Sequence, residues 1–419
     1  MKTKVRVFHP DASDPSLSGL LRYHYLAKYL VNDGYDFTIF TSSRFRHSKI
    51  NLIDNNIDLK YIEKNYDGIK YIYLKTTSYE KNDINRVKNW MSYYISAIKT
   101  GSYFINNQNR PDILIGSSPH PLSMLATVRL GKKYGIPIIN EVRDFWPEVF
   151  FLNGTVKEKS FIGKMLLKGE KFIYDKSDKL IFLKEGDYNY VIDRKWDKAH
   201  GGNINIDDIY YINNGVDLNS YNHRINHSYK DVDLESDKFK LIYTGGLRMV
   251  NNIDNILDAA KILSNYNDII FLIYGDGDYR ETLEKKIIDE KIRNVKIKGY
   301  VDNKYIPFIL SKASVNLLNY SDKYKWDRGN SSNKIFEYMA SGKPIISTVK
   351  MGYSFIDRYK IGIELEKNEP KSLAEAILKL KNIDTEKYDE MCNNAKLASK
   401  DYDYKKLSLK LEKVIKKLI

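Results

Sequence analysis

A chain of 419 residues is too long for one ordinary core and suits two domains of about 200 residues each. Its 42% hydrophobic and 29% charged residues are those of a soluble globular protein, its apolar runs are strand length and far short of the roughly 18 residues of a membrane span, and its single cysteine, Cys392, excludes an intrachain disulfide and a thiolate metal cluster. The net charge of +14 is spread evenly, +7 on residues 1–220 and +7 on the rest, and no RNP-like, zinc-finger or helix-turn-helix signature accompanies it, so nucleic acid is not an expected partner.

In chain order, a short apolar run at 5–8 leads through a small-residue loop, His9 to Gly19, into a helix-period segment at 20–32. Further strands are expected at 36–41, 70–74, 112–116, 137–140, 179–183 and 209–212, with helices at 86–105, 122–134 and 161–175 between them. Asn213-Asn214-Gly215-Val216-Asp217 and the polar residues up to Lys238 have loop chemistry and mark a boundary. A second series follows, with strands at 239–244, 269–274, 295–297, 314–318 and 344–348 and helices at 253–263, 279–289, 306–311 and from Asn333 onward. This alternation predicts an α/β protein with two doubly wound parallel-sheet domains, at 1–220 and 221–395. A basic C-terminal helix at 396–419, with eight lysines against three acids, is expected to pack back on the first domain. The N-terminus lacks the apolar run of a secretory leader, so a cytoplasmic protein is expected.

In open parallel sheets ligands lie beyond the carboxyl ends of the strands. The loop after 239–244 is Gly245-Gly246-Leu247-Arg248, whose glycines permit close backbone approach and whose arginine offers a fork for phosphate. The loop after 269–274 is Gly275-Asp276-Gly277-Asp278, with Asp278 placed to cap the next helix. Most informative is Gly329-Asn330-Ser331-Ser332 running into Asn333-Lys334-Ile335-Phe336-Glu337. A polar loop feeding a helix presents unpaired N–H groups and the positive dipole end to an anion. Asn333 and Glu337, spaced i, i+4, share the polar face. A carboxylate one turn beyond a phosphate site is suited to accept hydrogen bonds from sugar hydroxyls, such as a ribose.

Taken together these residues resemble the retaining glycosyltransferases of GT-B architecture, family four, in the branch that builds bacterial surface polysaccharides. The resemblance rests on Ser18-Gly19 before Tyr23-His24-Tyr25, on Glu141-Val142-Arg143-Asp144-Phe145-Trp146-Pro147-Glu148 and on Asn213 to Asp217. It rests also on Tyr243 to Arg248, Tyr274 to Gly277 and Ser332 to Pro344. It implies two Rossmann-like domains facing a cleft, an acceptor domain at 1–220 and a nucleotide-sugar donor domain at 221–395. Glu337 would bind the ribose, Arg248 the diphosphate, and Gly299-Tyr300-Val301 the base, while the Gly19 loop closes over the diphosphate from the other domain. Gly245, Gly246, Gly277, Asn330, Ser331, Ser332, Asn333 and Lys334 complete the expected donor site, and His120, Arg143 and Asp144 the acceptor site, with Arg248 and Asp144 as catalytic candidates.

The resemblance also implies the reaction: transfer from a nucleotide-diphosphate sugar, a UDP-sugar favoured, to a saccharide acceptor linked to a lipid such as undecaprenyl diphosphate, in capsule, O-antigen or exopolysaccharide synthesis. No metal or other cofactor is expected; the nucleotide sugar is a substrate. The chain departs from the pattern at Gly329, where relatives carry a first glutamate, at Met249 to Asn252, where they carry a lysine, and at Arg143-Asp144, where a histidine is common. Lys334 or Arg328 is then expected to share the diphosphate charge with Arg248, and the N–H groups of Asn330 to Ser332 to replace the missing carboxylate. The C-terminal lysines, and the stretch holding Lys88, Trp90, Met91, Tyr93, Tyr94, Ile95, Ile98, Lys99 and Tyr103, suit either a packed or solvated face or an anionic membrane surface at the inner face of the cell membrane. Two rival readings stay open: a nucleotide-sugar 2-epimerase, and a non-catalytic sugar-nucleotide-binding partner of a polysaccharide assembly complex.

Overall fold

The computed structural model describes residues 2–17, 19–45, 50–54, 56–79, 83–107 and 110–419. The chain divides into two compact units, the first comprising Met1–Leu183, Asp187–Asn213 and Leu407–Ile419, the second Lys184–Gly186 and Asn214–Lys406.

The first unit runs β1 (Lys4–Phe8), α1 (Arg22–Asn32), β2 (Asp36–Ser42), β3 (Tyr61–Tyr66), β4 (Ile69–Leu74), α2 (Ile84–Asn107), β5 (Ile113–Ser118), α3 (Pro121–Tyr134), β6 (Ile138–Val142), α4 (Glu148–Leu152), α5 (Phe161–Asp175), β7 (Lys179–Phe182), α6 (Tyr188–Asp193) and β8 (Ile209–Tyr211). Its sheet has the order β3-β4-β2-β1-β5-β6-β7-β8, all parallel except β3 against β4. The strand order reverses between β1 and β5, the place where doubly wound sheets bind ligands. Right-handed crossovers put α2, α3 and α5 in one layer on one face, and α3 packs against both α2 and α5.

Strand β3 was not expected. Its sequence Tyr-Ile-Glu-Lys-Asn-Tyr is half polar because, as an antiparallel edge strand, it covers the core with one face only. It anchors the loop after β1: Asp14 accepts hydrogen bonds from Tyr66 Oη at 2.6 Å and Lys64 Nζ at 3.1 Å.

Beneath α5 the Glu170 carboxyl is buried and accepts from Tyr190 Oη at 2.6 Å and Tyr174 Oη at 3.0 Å. Burial raises its pKa to about 8. The folded state therefore holds a proton that the unfolded state, with an ordinary glutamate, releases near pH 4.5. Stability is expected to fall as pH rises from 4.5 towards 8, and Glu170→Gln to flatten that slope in urea titrations at several pH values. An unchanged slope would show that Glu170 is ionised in the folded state.

The second unit runs α7 (Leu218–Arg224), β9 (Phe239–Thr244), α8 (Ile253–Ile262), β10 (Ile269–Tyr274), α9 (Arg280–Asp289), β11 (Val295–Gly299), α10 (Ile306–Ser311), β12 (Val315–Leu318), α11 (Asn333–Ser341), β13 (Ile345–Ser347), α12 (Phe355–Tyr359), β14 (Gly362–Glu364), α13 (Pro370–Lys381), α14 (Thr385–Asp401) and the start of α15 (Tyr404–Ile415). Its all-parallel sheet has the order β11-β10-β9-β12-β13-β14, with the reversal between β9 and β12. Two apolar clusters cover its faces, one around Ile335, Phe336 and Met339 of α11, the other around α8 and α13.

The single helix expected over 396–419 is instead the end of α14 followed by α15. The break comes where Tyr402 buries among Phe336, Phe355 and Tyr359 and Asp403 forms a parallel bridge with Val216. Residues from Leu407 onward belong to the first unit. No helix among the described residues is long and apolar enough to cross a membrane.

Candidate functional site

Within the second unit the distinctive loops meet at the strand-order reversal. The turns after β9, β10 and β11 clasp one another through backbone bonds: Gly245 N–H to Tyr274 O at 3.0 Å, Leu247 N–H to Asp276 O at 2.9 Å, and Gly275 N–H to Gly299 O at 2.8 Å. Here glycine is required. Gly275 has φ +156°, and a Cβ there would stand 1.8 Å from Gly245 O; a Cβ on Gly277 would stand 2.3 Å from Leu247 O. Asp278 does not cap α9, whose N-cap is Tyr279 without a side-chain bond; Asp276 instead accepts from Gly277 N–H at 2.8 Å.

The Gly329 to Ser332 loop is held from two sides. Asn330 Oδ1 accepts from Ser332 N–H at 2.8 Å. Asn214 N–H donates to Ser331 Oγ at 2.8 Å and Asn214 Nδ2 to Ser331 O at 2.6 Å. The Asn-Asn-Gly segment read from sequence as a boundary loop therefore also braces the anion loop. Of the three N–H groups expected to stand in for the missing carboxylate, that of Ser332 is already taken by Asn330. Asn330 Nδ2, by contrast, is buried with no hydrogen-bond acceptor in range among the described residues, a donor that a polar ligand atom would satisfy.

Gly329 itself has φ +96°, and a Cβ there would stand 3.3 Å from Gly352 O. A glutamate at this position would need a positive φ in contact with a neighbouring carbonyl, which favours glycine here. Gly329→Glu is expected to destabilise the protein by about 1–3 kcal/mol, read by urea denaturation; a neutral effect would show the loop can refold around the side chain.

Lys334 lies one position into α11. Its ammonium sits 4.7 Å from the ring centres of both Tyr243 and Tyr320 and donates to Tyr243 Oη at 3.3 Å. A Cβ on Gly245 would lie 3.2 Å from Lys334 Cδ, so the lysine lies against the glycine turn. Burial lowers its pKa to about 7. Because the unfolded lysine binds its proton up to an ordinary value, the free protein gains stability as pH rises from about 7 towards that value. An arriving anion would reverse the shift by favouring the charged form.

Glu337, one turn further, is half-buried and its carboxylate accepts no hydrogen bond among the described residues. Burial raises its pKa, opposed by the Arg224 guanidinium, and the buried Tyr221 hydroxyl lies in its field. Asn333 and Arg248 are exposed, with Arg248 at the start of a 3-10 turn, Met249–Asn251. Gly246 O accepts from Asn251 Nδ2 at 2.7 Å and Tyr243 Oη at 3.1 Å. Tyr300 is 68% exposed beside Gly299. Sequence reasoning took Tyr243 and Asn251 only as members of their motifs and did not pick out Tyr320, because the contacts of Tyr243 and Tyr320 with Lys334 are made by the fold. A separate cavity of about 780 Å3, lined in part by Lys343, Cys392, Lys396 and Lys400, opens at the C-terminal end of α11, where helix carbonyls disfavour an anion.

In the first unit, Gly19 has φ +153° in a loop closed by Leu20 N–H donating to Ser13 Oγ at 2.9 Å; Ser18 lies outside the described residues. Arg143 does not pair with Asp144: its Nη1 lies 2.5 Å from His9 Nε2, and burial, then Arg143, holds the His9 pKa well below its ordinary value. Asp144 is exposed and makes no ion pair among the described residues. His120 is buried, stacked on Trp90 at 5.0 Å between ring centres. Beneath them lies a pair of which the sequence reading named only Glu141, without a role: Glu141 is bound by Arg22 Nη2 at 2.7 Å and Ser117 Oγ at 2.7 Å, both partners buried. No group of three or more His, Cys, Asp or Glu that could hold a metal ion occurs among the described residues.

Residues 226–398 match the family described as glycosyl transferases group 1. A curated relative, the probable glycosyltransferase WbjE of Pseudomonas aeruginosa, is 22% identical over 280 residues, covering 66% of this chain and 67% of its own. Among solved structures, HepE of Anabaena in complex with UDP and glucose superposes with a TM-score of 0.67 at 14% identity, over 99% of this chain and 100% of its own. WaaG, a glycosyltransferase involved in lipopolysaccharide biosynthesis, superposes with a TM-score of 0.65 at 12% identity, over 98% and 99%. With its two parallel-sheet units, its glycine turns and the helix that carries Lys334 and Glu337, the chain is similar in fold to the GT-B glycosyltransferases, and its residues 226–398 match the glycosyl transferases group 1 family.

Proposed function

We propose that the chain is a retaining, metal-independent glycosyltransferase of family four. It would move a sugar from a nucleotide diphosphate, a UDP-sugar, to a lipid-linked saccharide in the synthesis of a bacterial surface polysaccharide, acting in the cytoplasm. The observation that carries the reading is on α11: a half-buried carboxylate, Glu337, that accepts no hydrogen bond among the described residues, one turn beyond an ammonium, Lys334, held at the glycine turn. The first suits ribose hydroxyls and the second the diphosphate. The matched domain, the UDP and glucose bound by HepE and the lipopolysaccharide role of WaaG support the donor class and the pathway.

Lys334, Arg248 and the N-terminal end of α11 would neutralise the charge that builds on the leaving diphosphate. As the anomeric C–O bond to that diphosphate breaks, the acceptor oxygen bonds to the same face of the sugar, and its proton passes to the departing diphosphate oxygen. Asp144, exposed and without an ion pair among the described residues, would position the acceptor hydroxyl. A thermal-shift screen against UDP, GDP, dTDP and ADP and their sugars, at pH 6 to 9, tests the reading. One nucleotide family should stabilise the protein, with its affinity falling by up to about tenfold per pH unit above 7 as Lys334 loses its proton. Lys334→Met should weaken binding and remove that slope. Absence of a shift with every nucleotide, or a slope that survives Lys334→Met, would sink it.

A further inference from the structure

The strongest feature of the molecule that the transfer chemistry does not use is the outer face of α5 in the first unit. Gly163, Glu170, Ile173 and Tyr174 turn into the core, yet Phe161 is 82% exposed, Met165 54% and Phe172 44%. At about 100° per residue these three fall within roughly 40° of one another on the side away from the core. Ile162 and, at the end of α4, Leu152 extend the apolar surface. Such a row contributes nothing to the core and marks an interaction surface.

The charges around it select the partner. Lys157, Lys159, Lys164 and Lys168 are exposed along the same segment, and the Lys132 ammonium lies over the Phe172 ring at 5.1 Å. The other two carboxylates of the segment, exposed Glu158 and largely buried Asp175, are already paired, with Arg194 at 2.9 Å and Lys171 at 3.0 Å. On the other side of α3, helix α2 repeats the arrangement. Tyr93, Ala97 and Phe104 face the core, while Ile84, Val87, Met91 and Ile95 form an exposed row beside Lys88 and Lys99. The stretch expected from sequence to be either a packed face or a membrane face thus has one buried side and one exposed side.

We propose that this helix layer docks on an anionic lipid bilayer, with the α5 row at the acyl boundary and the lysines among the headgroup phosphates. The test is co-sedimentation of the full chain with vesicles of phosphatidylglycerol and phosphatidylcholine, against phosphatidylcholine alone. Binding is expected to the first only and to weaken with added salt. Phe161→Asp with Met165→Asp should lower the bound-to-free ratio by about tenfold or more, and Lys164→Glu with Lys168→Glu should do the same. Both pairs should leave the thermal midpoint in place, because these side chains are at the surface. Val232→Asp, at an 85% exposed position in the second unit, should leave binding unchanged. Failure to bind anionic vesicles, or equal binding by the paired variants, would overturn the proposal. So would a dimer in solution that Phe161→Asp dissociates, which would assign the face to a second copy of the chain.

Discussion

Replacing Glu337 with alanine should weaken nucleotide binding roughly 150-fold while leaving the free protein as stable as before, or more so. The carboxylate is partly desolvated and has no hydrogen-bond donor among the described residues, so in the free state it is a net cost to folding. Bound to two hydroxyls it would accept charge-assisted hydrogen bonds. Their loss is expected to cost about 3 kcal/mol of binding, or roughly 150-fold in Kd. Thermal shift and isothermal titration on the same samples separate the two effects. A ligand-induced shift lost while the unliganded midpoint holds or rises is the expected pattern, whereas a lower unliganded midpoint with affinity retained would make Glu337 a structural residue.

Arg22→Met should be among the most destabilising single changes in the first unit. Arg22 joins α1 to Glu141 of β6 and donates to the carbonyls of Asn213 and, at 2.7 Å, Ile212. Both side chains are almost fully buried. Removing the guanidinium strands a carboxylate in the core and should cost about 3–5 kcal/mol, whereas removing both charges together as Arg22→Met with Glu141→Gln should cost distinctly less. Urea unfolding of the two single variants and the double variant closes the cycle. A loss below about 1 kcal/mol for Arg22→Met would mean that water reaches the pair. Because His9 and Arg143 leave the ends of β1 and β6 just above it, the pair also positions the surface that carries Asp144.

The alternation of apolar runs with helix-period segments was legible because it depends on spacing of two or 3.6 residues within one element. So were the glycine turns and α11, where loop, cap and amphipathic pattern are contiguous. Strand β3 escaped because an edge strand needs few apolar residues, and β14 because three residues carry too short a pattern. The position of Asp278 suggested a cap that the turn does not form, since the chain bends three residues earlier around the Gly275 contact with Gly245.

Local sequence therefore determined the fold class, the order of the parallel-sheet elements, the anion loop and the place of Glu337 on the polar face of α11. Tertiary structure alone decided the rest. Lys334 meets Tyr243 across 91 positions, Ser331 meets Asn214 across 117, and Arg22 meets Glu141 across 119. No spacing rule reaches so far, because such pairs are set by which strands lie side by side. Burial likewise belongs to the folded chain: it lowers the Lys334 pKa, leaves Glu337 unsatisfied and exposes the outer row of α5, through neighbours the primary order does not name.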